Sequence, residues 1–156
     1  MGPDGAGEEK TVHGQGRMPD PPVVQIPCLV KGVGPGWHAV LYRLHGQLAA
    51  RWPGYRAIGV KEKFGGLRVQ VDVGERAARE AAAPLVRAAE AQAGALCEFC
   101  AGPGRVRTRN DTPAGWIKTV CDDCHRAWSA REIMIVSGAV RYSGRGGDGL
   151  AVAGVG

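Results

Sequence analysis

The chain reads as a compact α+β unit in which a helix, a β-hairpin and a second helix precede a four-cysteine metal module. Three observations predict it. Cys97, Cys100, Cys121 and Cys124 form two C-x2-C pairs with residues 101–120 between them. Gly65 and Gly66 interrupt residues 55–73, whose apolar and polar side chains alternate with the period of a strand. Apolar side chains recur at helical spacing over residues 37–52 and over 75–96.

The cysteine pairs are the most specific signal. Within C-x2-C a tight turn lets both sulfurs face one point, and two such turns complete the tetrahedron Zn²⁺ prefers, with bonds of roughly 2.3 Å. Ala101, Gly102, Pro103 and Gly104 follow the first pair, where a knuckle needs small residues and unusual backbone angles. Residues 105–109 and 116–120 then alternate with period two around a loop, which predicts a hairpin. Asp122 and Asp123 stand where a helix begins, and no Gly or Pro interrupts it as far as Arg131. Knuckle, hairpin and helix over residues 97–131 are the order of a treble-clef site, with a plain zinc ribbon as the neighbouring architecture. Disulfides belong to oxidising compartments, and one redox C-x-x-C does not explain two matched pairs. Four thiolates leave the metal no open position, so a structural Zn²⁺ is expected. His125 is the one rival ligand, and otherwise an ordinary exposed first-turn histidine.

Among 156 residues, 20 Lys and Arg stand against 15 Asp and Glu, a formal charge of +5. That length is about one domain. A tetrathiolate zinc centre would carry about two negative charges, so the folded excess is smaller. The balance favours an acidic partner such as nucleic acid. No apolar run reaches a membrane span, and the amino terminus lacks the basic start and apolar run of an export signal. Reduced cysteines point to the cytoplasm.

Taken in order, residues 1–36 are rich in Gly, Pro and charge and are expected to be mostly disordered. The apolar stretch 23–30, broken by Pro27, is the exception and suits an edge strand, with Cys28 acting as a small hydrophobe. Residues 37–52 form the first helix, which Pro53 and Gly54 stop; His38 and His45 are expected on its solvated side. Taking Gly65 and Gly66 as the hairpin turn pairs Phe64 with Leu67, Lys63 with Arg68, Glu62 with Val69 and Val60 with Val71. One face then carries Ile58, Val60, Phe64, Leu67, Val69, Val71 and Val73, and the other Lys61, Lys63 and Arg68, with Arg56 placed below. Glu62 is the only charge on the apolar face. It needs a cationic partner, an open sheet end or a bulge, or it is a functional carboxylate. In the second helix Pro84 implies a kink or a later start. Residues 132–136 and 139–142 pair around Ser137 and Gly138, and 143–156 form a flexible Gly-rich tail. The folded unit is expected over residues 37–142.

Gly36-Trp37, Lys61-Glu62-Lys63-Phe64-Gly65-Gly66-Leu67-Arg68, the stretch 97–104 and the stretch 115–121 together resemble a family of small bacterial and prophage-encoded proteins. The resemblance implies a zinc-stabilised domain and a phage–host setting, and implies no activity.

Two binding functions are expected. Nucleic acid would meet Arg56, Lys61, Lys63 and Arg68 on the hairpin together with Arg105, Arg107, Arg109 and Lys118 of the zinc module, with Trp116 and Tyr55 as stacking surfaces. A protein partner would instead be anchored by Trp116 and Trp128. Catalysis is not expected. Residues 101–120 hold no histidine to serve a nuclease metal, and His38, His45 and Glu62 are the only acid–base candidates.

Overall fold

A computed structural model describes residue 16 and residues 18–144. The expected disorder of residues 1–15 and most of the expected tail, 145–156, lie outside the described residues. The fold is α+β as read from the sequence. Helix α1 (His38–Arg51), hairpin β1 (Arg56–Lys63) and β2 (Gly66–Asp72), and helix α2 (Arg76–Ala93) come first. Hairpin β3 (Arg105–Thr108) and β4 (Ile117–Val120), helix α3 (Asp122–Ser129) and hairpin β5 (Ile133–Val136) and β6 (Ala139–Tyr142) follow. Each hairpin is its own two-stranded antiparallel sheet.

The folded unit begins earlier than residue 37. Val24 accepts a hydrogen bond from the Ala57 N–H at 2.8 Å, but no edge strand follows. Instead the chain coils through three 3-10 turns, Ile26–Cys28, Val30–Gly32 and Pro35–Trp37. Pro27 and Pro35 sit in first turns, where a missing N–H costs nothing. These turns drive Ile26, Val30 and Val33 into one core with Trp37, Leu41, Leu44 and Leu48 of the first helix region and Leu67 and Val69 of the hairpin. Gln25 donates to the Pro53 and Tyr55 carbonyls and locks the segment against the end of α1. Cys28 is exposed rather than packed as a small hydrophobe.

The first hairpin turns one residue earlier than its glycine pair suggests. Lys63 pairs with Gly66, Glu62 with Leu67, Lys61 with Arg68 and Val60 with Val69. Phe64 and Gly65 are the turn residues, both at positive φ (52° and 79°), as a two-residue primed turn requires. The register also shifts between Ala57 and Gly59. That bulge turns Ile58 outward, and the turn position exposes Phe64, so neither joins the apolar face. Glu62 stays on that face and Lys61, Lys63 and Arg68 on the outer one, because the turn shift leaves their parity unchanged, while the bulge reverses the alternation before Gly59 and so buries Ala57 and places Arg56 on the outer face.

Helix α2 neither breaks nor restarts at Pro84, which lies inside it on the exposed side. Ala82, Ala89 and Ala93 form its buried stripe, small enough for close approach to the hairpin. Glu90 accepts a hydrogen bond from the Val69 N–H at 2.9 Å, covering part of the β2 edge. The third hairpin turns at Ser137 and Gly138 as expected, both at positive φ.

Candidate metal centre

The first cysteine pair is held by a backbone knuckle. The Ala101 N–H donates to the Cys97 carbonyl at 2.9 Å and the Cys97 N–H to the Gly102 carbonyl at 2.7 Å. Ala101 itself adopts the left-handed conformation, φ 64°. A side chain at Gly104 would press on the Cys97 backbone nitrogen at 2.7 Å. The second pair is built on the start of α3. Cys121 is its N-cap and its sulfur accepts the Cys124 N–H at 3.4 Å. This is treble-clef order, with the second pair at the helix start rather than on a second knuckle.

All four sulfurs lie within 4.8 Å of one another. The Cys100 and Cys121 sulfurs are 3.7 Å apart, far beyond a disulfide bond of about 2.05 Å. Tetrahedral bonds of about 2.3 Å need sulfur–sulfur edges near ~3.8 Å. The cluster can therefore hold a metal ion. Its surroundings fit one. Burial pushes the Cys97 and Cys124 thiols up, so two anions there need a compensating cation. Burial also pushes the Cys121 thiol up, but hydrogen bonds, led by the Cys124 N–H, outweigh it and hold this thiol below its ordinary range. The Gly102 N–H aims at the Cys100 sulfur at 3.4 Å, a second donor that spreads thiolate charge. Phe99, Val120, Trp128 and Ile133 pack beside the cluster and form a second small core.

His125 does not join the sulfurs. It is buried rather than exposed, its Nε2 2.9 Å from the Thr108 carbonyl and its ring edge-on to Trp128. Its place in the first turn of α3 turns it toward the hairpin, away from the metal cluster.

Glu98, inside the first C-x2-C, is the residue that sequence reasoning passes over. Its side chain is 2 % exposed, and its Oε2 lies 2.7 Å from the Lys118 ammonium. Its Oε1 accepts the Gly34 N–H at 3.2 Å. Lys118 also lies 4.0 Å from Glu62, which accepts the Gly65 N–H at 2.7 Å. The lone charge on the apolar sheet face thus has its cationic partner, supplied by β4. Thr119 donates to the Gly65 carbonyl at 2.7 Å, and the Trp37 indole donates to the Leu96 carbonyl at 3.0 Å. A side chain at Gly36 would overlap the Cys97 carbonyl. The motif residues Gly36, Trp37, Glu62 and Gly65 therefore meet at one junction, where both cores join the metal module.

The basic residues divide into two groups. Arg107 is held by Asp111 at 2.8 Å and Asp122 at 2.8 Å, and Arg105 reaches Asp122 at 3.5 Å. The Arg107 hydrogen bond holds the Asp111 carboxyl below its ordinary range. Arg107 and Lys118, both largely covered, are thus compensated by close carboxylates, whereas Arg105 makes a longer contact on the exposed surface. Arg109 does not continue the strand alternation. It enters a 3-10 turn after Thr108 and lays its guanidinium over Trp128, 4.8 Å from the ring centroid. Arg56, Lys61, Lys63 and Arg68 are exposed and have no acidic partner among the described residues.

The aromatic assignments also change. Tyr55 is buried and cannot serve as a stacking surface; its hydroxyl accepts the Ile26 N–H at 3.1 Å and meets His45 Nδ1 at 2.6 Å. His38 likewise turns to the Val33 carbonyl, so both histidines are half-buried and bonded within the fold rather than solvated. Trp128 is core, which removes it as a partner anchor. Trp116, 76 % exposed, and Phe64, 72 % exposed, face outward most fully, and Tyr42 and Tyr142 are exposed as well. Among the described residues no helix is long and apolar enough to cross a membrane. Set against known proteins, the chain matches no family model, no curated protein and no solved structure.

Proposed function

We propose that this is a small zinc-stabilised binding protein that contacts nucleic acid through the outer face of the first hairpin and the adjoining hairpin of the metal module. A compact S4 set selects Zn²⁺ or iron among common metals, and a closed tetrathiolate site suits structural zinc. Reduced thiols favour the cytoplasm, and the family resemblance favours a phage–host setting.

The observation that carries the nucleic-acid reading is the uncompensated cation group. Arg56, Lys61, Lys63 and Arg68 project from one sheet face and form no salt bridge among the described residues, with Asp72 opposite Arg56 as the acid on that face, and Phe64 stands at its tip with the Lys63 ammonium 5.7 Å from its ring. Such a surface attracts phosphates while an exposed ring offers a base a stacking plane. In this reading the protein is not an enzyme, because the acid–base candidates His38, His45 and Glu62 are engaged inside the fold. A second reading, a protein-interaction adaptor, draws on exposed Met134, Val136 and Tyr142 of the third hairpin.

Binding measured across a salt series separates the two. Nucleic-acid affinity should fall steeply with salt, and Lys61→Ala/Lys63→Ala/Arg68→Ala should reduce the slope by about two to three. No binding at low salt would reject the nucleic-acid reading in favour of a protein partner.

Phe64 offers an independent check. A non-glycine residue at φ 52° is strained, and Phe64 regains little of that by burial. Phe64→Asn suits the turn better and should leave the thermal midpoint equal or higher. If Phe64 stacks on a base, the same change should weaken strand binding about fivefold or more. A variant with undiminished affinity would remove Phe64 from the interface.

A further inference from the structure

A second basic group lies beyond the hairpin face. Beside the β3–β4 connection a pocket of about 290 Å³ is lined by Arg109, Asn110, Thr112, Gly115, Trp116 and Arg131. The Arg109 N–H donates to the Trp116 carbonyl at 2.8 Å, which ties the two residues together at the hairpin end. The Arg109 guanidinium rests on Trp128, and its Nε is buried with no hydrogen-bond partner. Arg105, Arg107, Lys118 and Arg126 all have acidic partners, whereas among the described residues Arg109 and Arg131 have none.

Two guanidinium groups that share a pocket without a counter-charge repel one another. Burial pushes Arg109 below its ordinary range, and the Arg131 charge adds to this. An anion between them would relieve both effects, and guanidinium groups match phosphate oxygens in geometry. The Trp116 ring at the same wall is largely open to solvent. Paired cations beside an open aromatic plane are the elements of a single-strand site, because a duplex keeps its base faces stacked and out of reach.

We propose that this pocket is a nucleotide site for single-stranded nucleic acid, with a base stacked on Trp116 and its phosphate held between Arg109 and Arg131. The inference rests on the nucleic-acid reading above and names the form of ligand. It also assigns a role to Arg131, whose φ of 61° follows the end of α3 and which carries no sequence signal.

The test uses the metal-loaded full chain with fluorescein-labelled dT and rU strands of about 12 nucleotides, and the corresponding duplexes for comparison. Trp116→Ala and Arg131→Gln are the variants; both side chains are exposed, so neither change opens the core. Trp116→Ala should weaken strand binding by at least about fivefold, and Arg131→Gln should lower the salt slope by about one. If the wild type binds strands and both variants match it, the pocket assignment is overturned while the hairpin-face reading stands. Tighter binding of duplex than of strand overturns the single-strand assignment. Thymidine 5′-monophosphate, followed at the Trp116 indole N–H resonance, separates the remaining cases. A shift there without strand binding upholds the pocket for a mononucleotide and overturns the nucleic-acid reading. Neither shift nor strand binding overturns both.

Discussion

Cys121→Ser is expected to remove bound metal and most of the folding free energy. Serine is itself a good N-cap, so the start of α3 keeps a side-chain acceptor for the Cys124 N–H now taken by the Cys121 sulfur. The loss therefore reports the ligand rather than the cap. Structural zinc contributes on the order of 10–16 kcal/mol in small zinc modules at neutral pH, against total stabilities of about 5–15 kcal/mol for whole domains. The second core is small and includes Cys97 itself, so it has little else to hold it. Chelation should have the same effect on the wild type, and acid should release the metal, because protons compete for thiolates. Metal analysis and a circular-dichroism melt check this together. A soluble, metal-free Cys121→Ser protein with an unchanged melt would refute the structural role.

Lys118→Met should be the most damaging change away from the cysteines, at about 3–5 kcal/mol. The methionine can fill the stem's space, but the Glu98 carboxylate loses its ammonium at 2.7 Å and keeps the Gly34 N–H at 3.2 Å. With the Glu98 side chain 2 % exposed, water cannot replace that partner. Glu62, 4.0 Å from the same ammonium, is left facing a second carboxylate across the junction. Glu98→Gln/Lys118→Met should recover much of the loss, since a neutral amide still accepts the Gly34 N–H. Denaturant titrations of the two singles and the double measure the coupling. A Lys118→Met protein within about 0.5 kcal/mol of wild type would show that the buried pair does not hold the module to the hairpin.

The contrast between these two predictions marks what is legible in one dimension. The four cysteines carry their geometry in their spacing, because C-x2-C is a local turn, and so Cys97, Cys100, Cys121 and Cys124 converge as their sequence implies. Glu98 sits in that same turn, yet its partners Lys118 and Gly34 come from elsewhere in the chain, and no period or motif links them. Arg105, Arg107 and Lys118 look like phosphate partners until Asp122, Asp111 and Glu98 are brought against them. Tyr55, Trp128 and His125 give no local sign of burial, since an aromatic residue suits both a surface and a core.

The sequence by itself determined the elements and the cysteine cluster: three hairpins, the three α-helices and the two cysteine pairs follow from periods of two and 3.6 residues and from turn chemistry. Tertiary structure decided the rest. It drew the aperiodic 3-10 segment from Ile26 to Trp37 into the core, because Ile26, Val30 and Val33 had an apolar face to cover. It placed the hairpin turn at Phe64 and Gly65, where Gly65 fits against Ile117 and Lys118 of β4 and Thr119 bonds its carbonyl. It also sorted the cations into those with an acid within reach and those without. Burial and charge compensation depend on neighbours distant in the chain, and only folding supplies them.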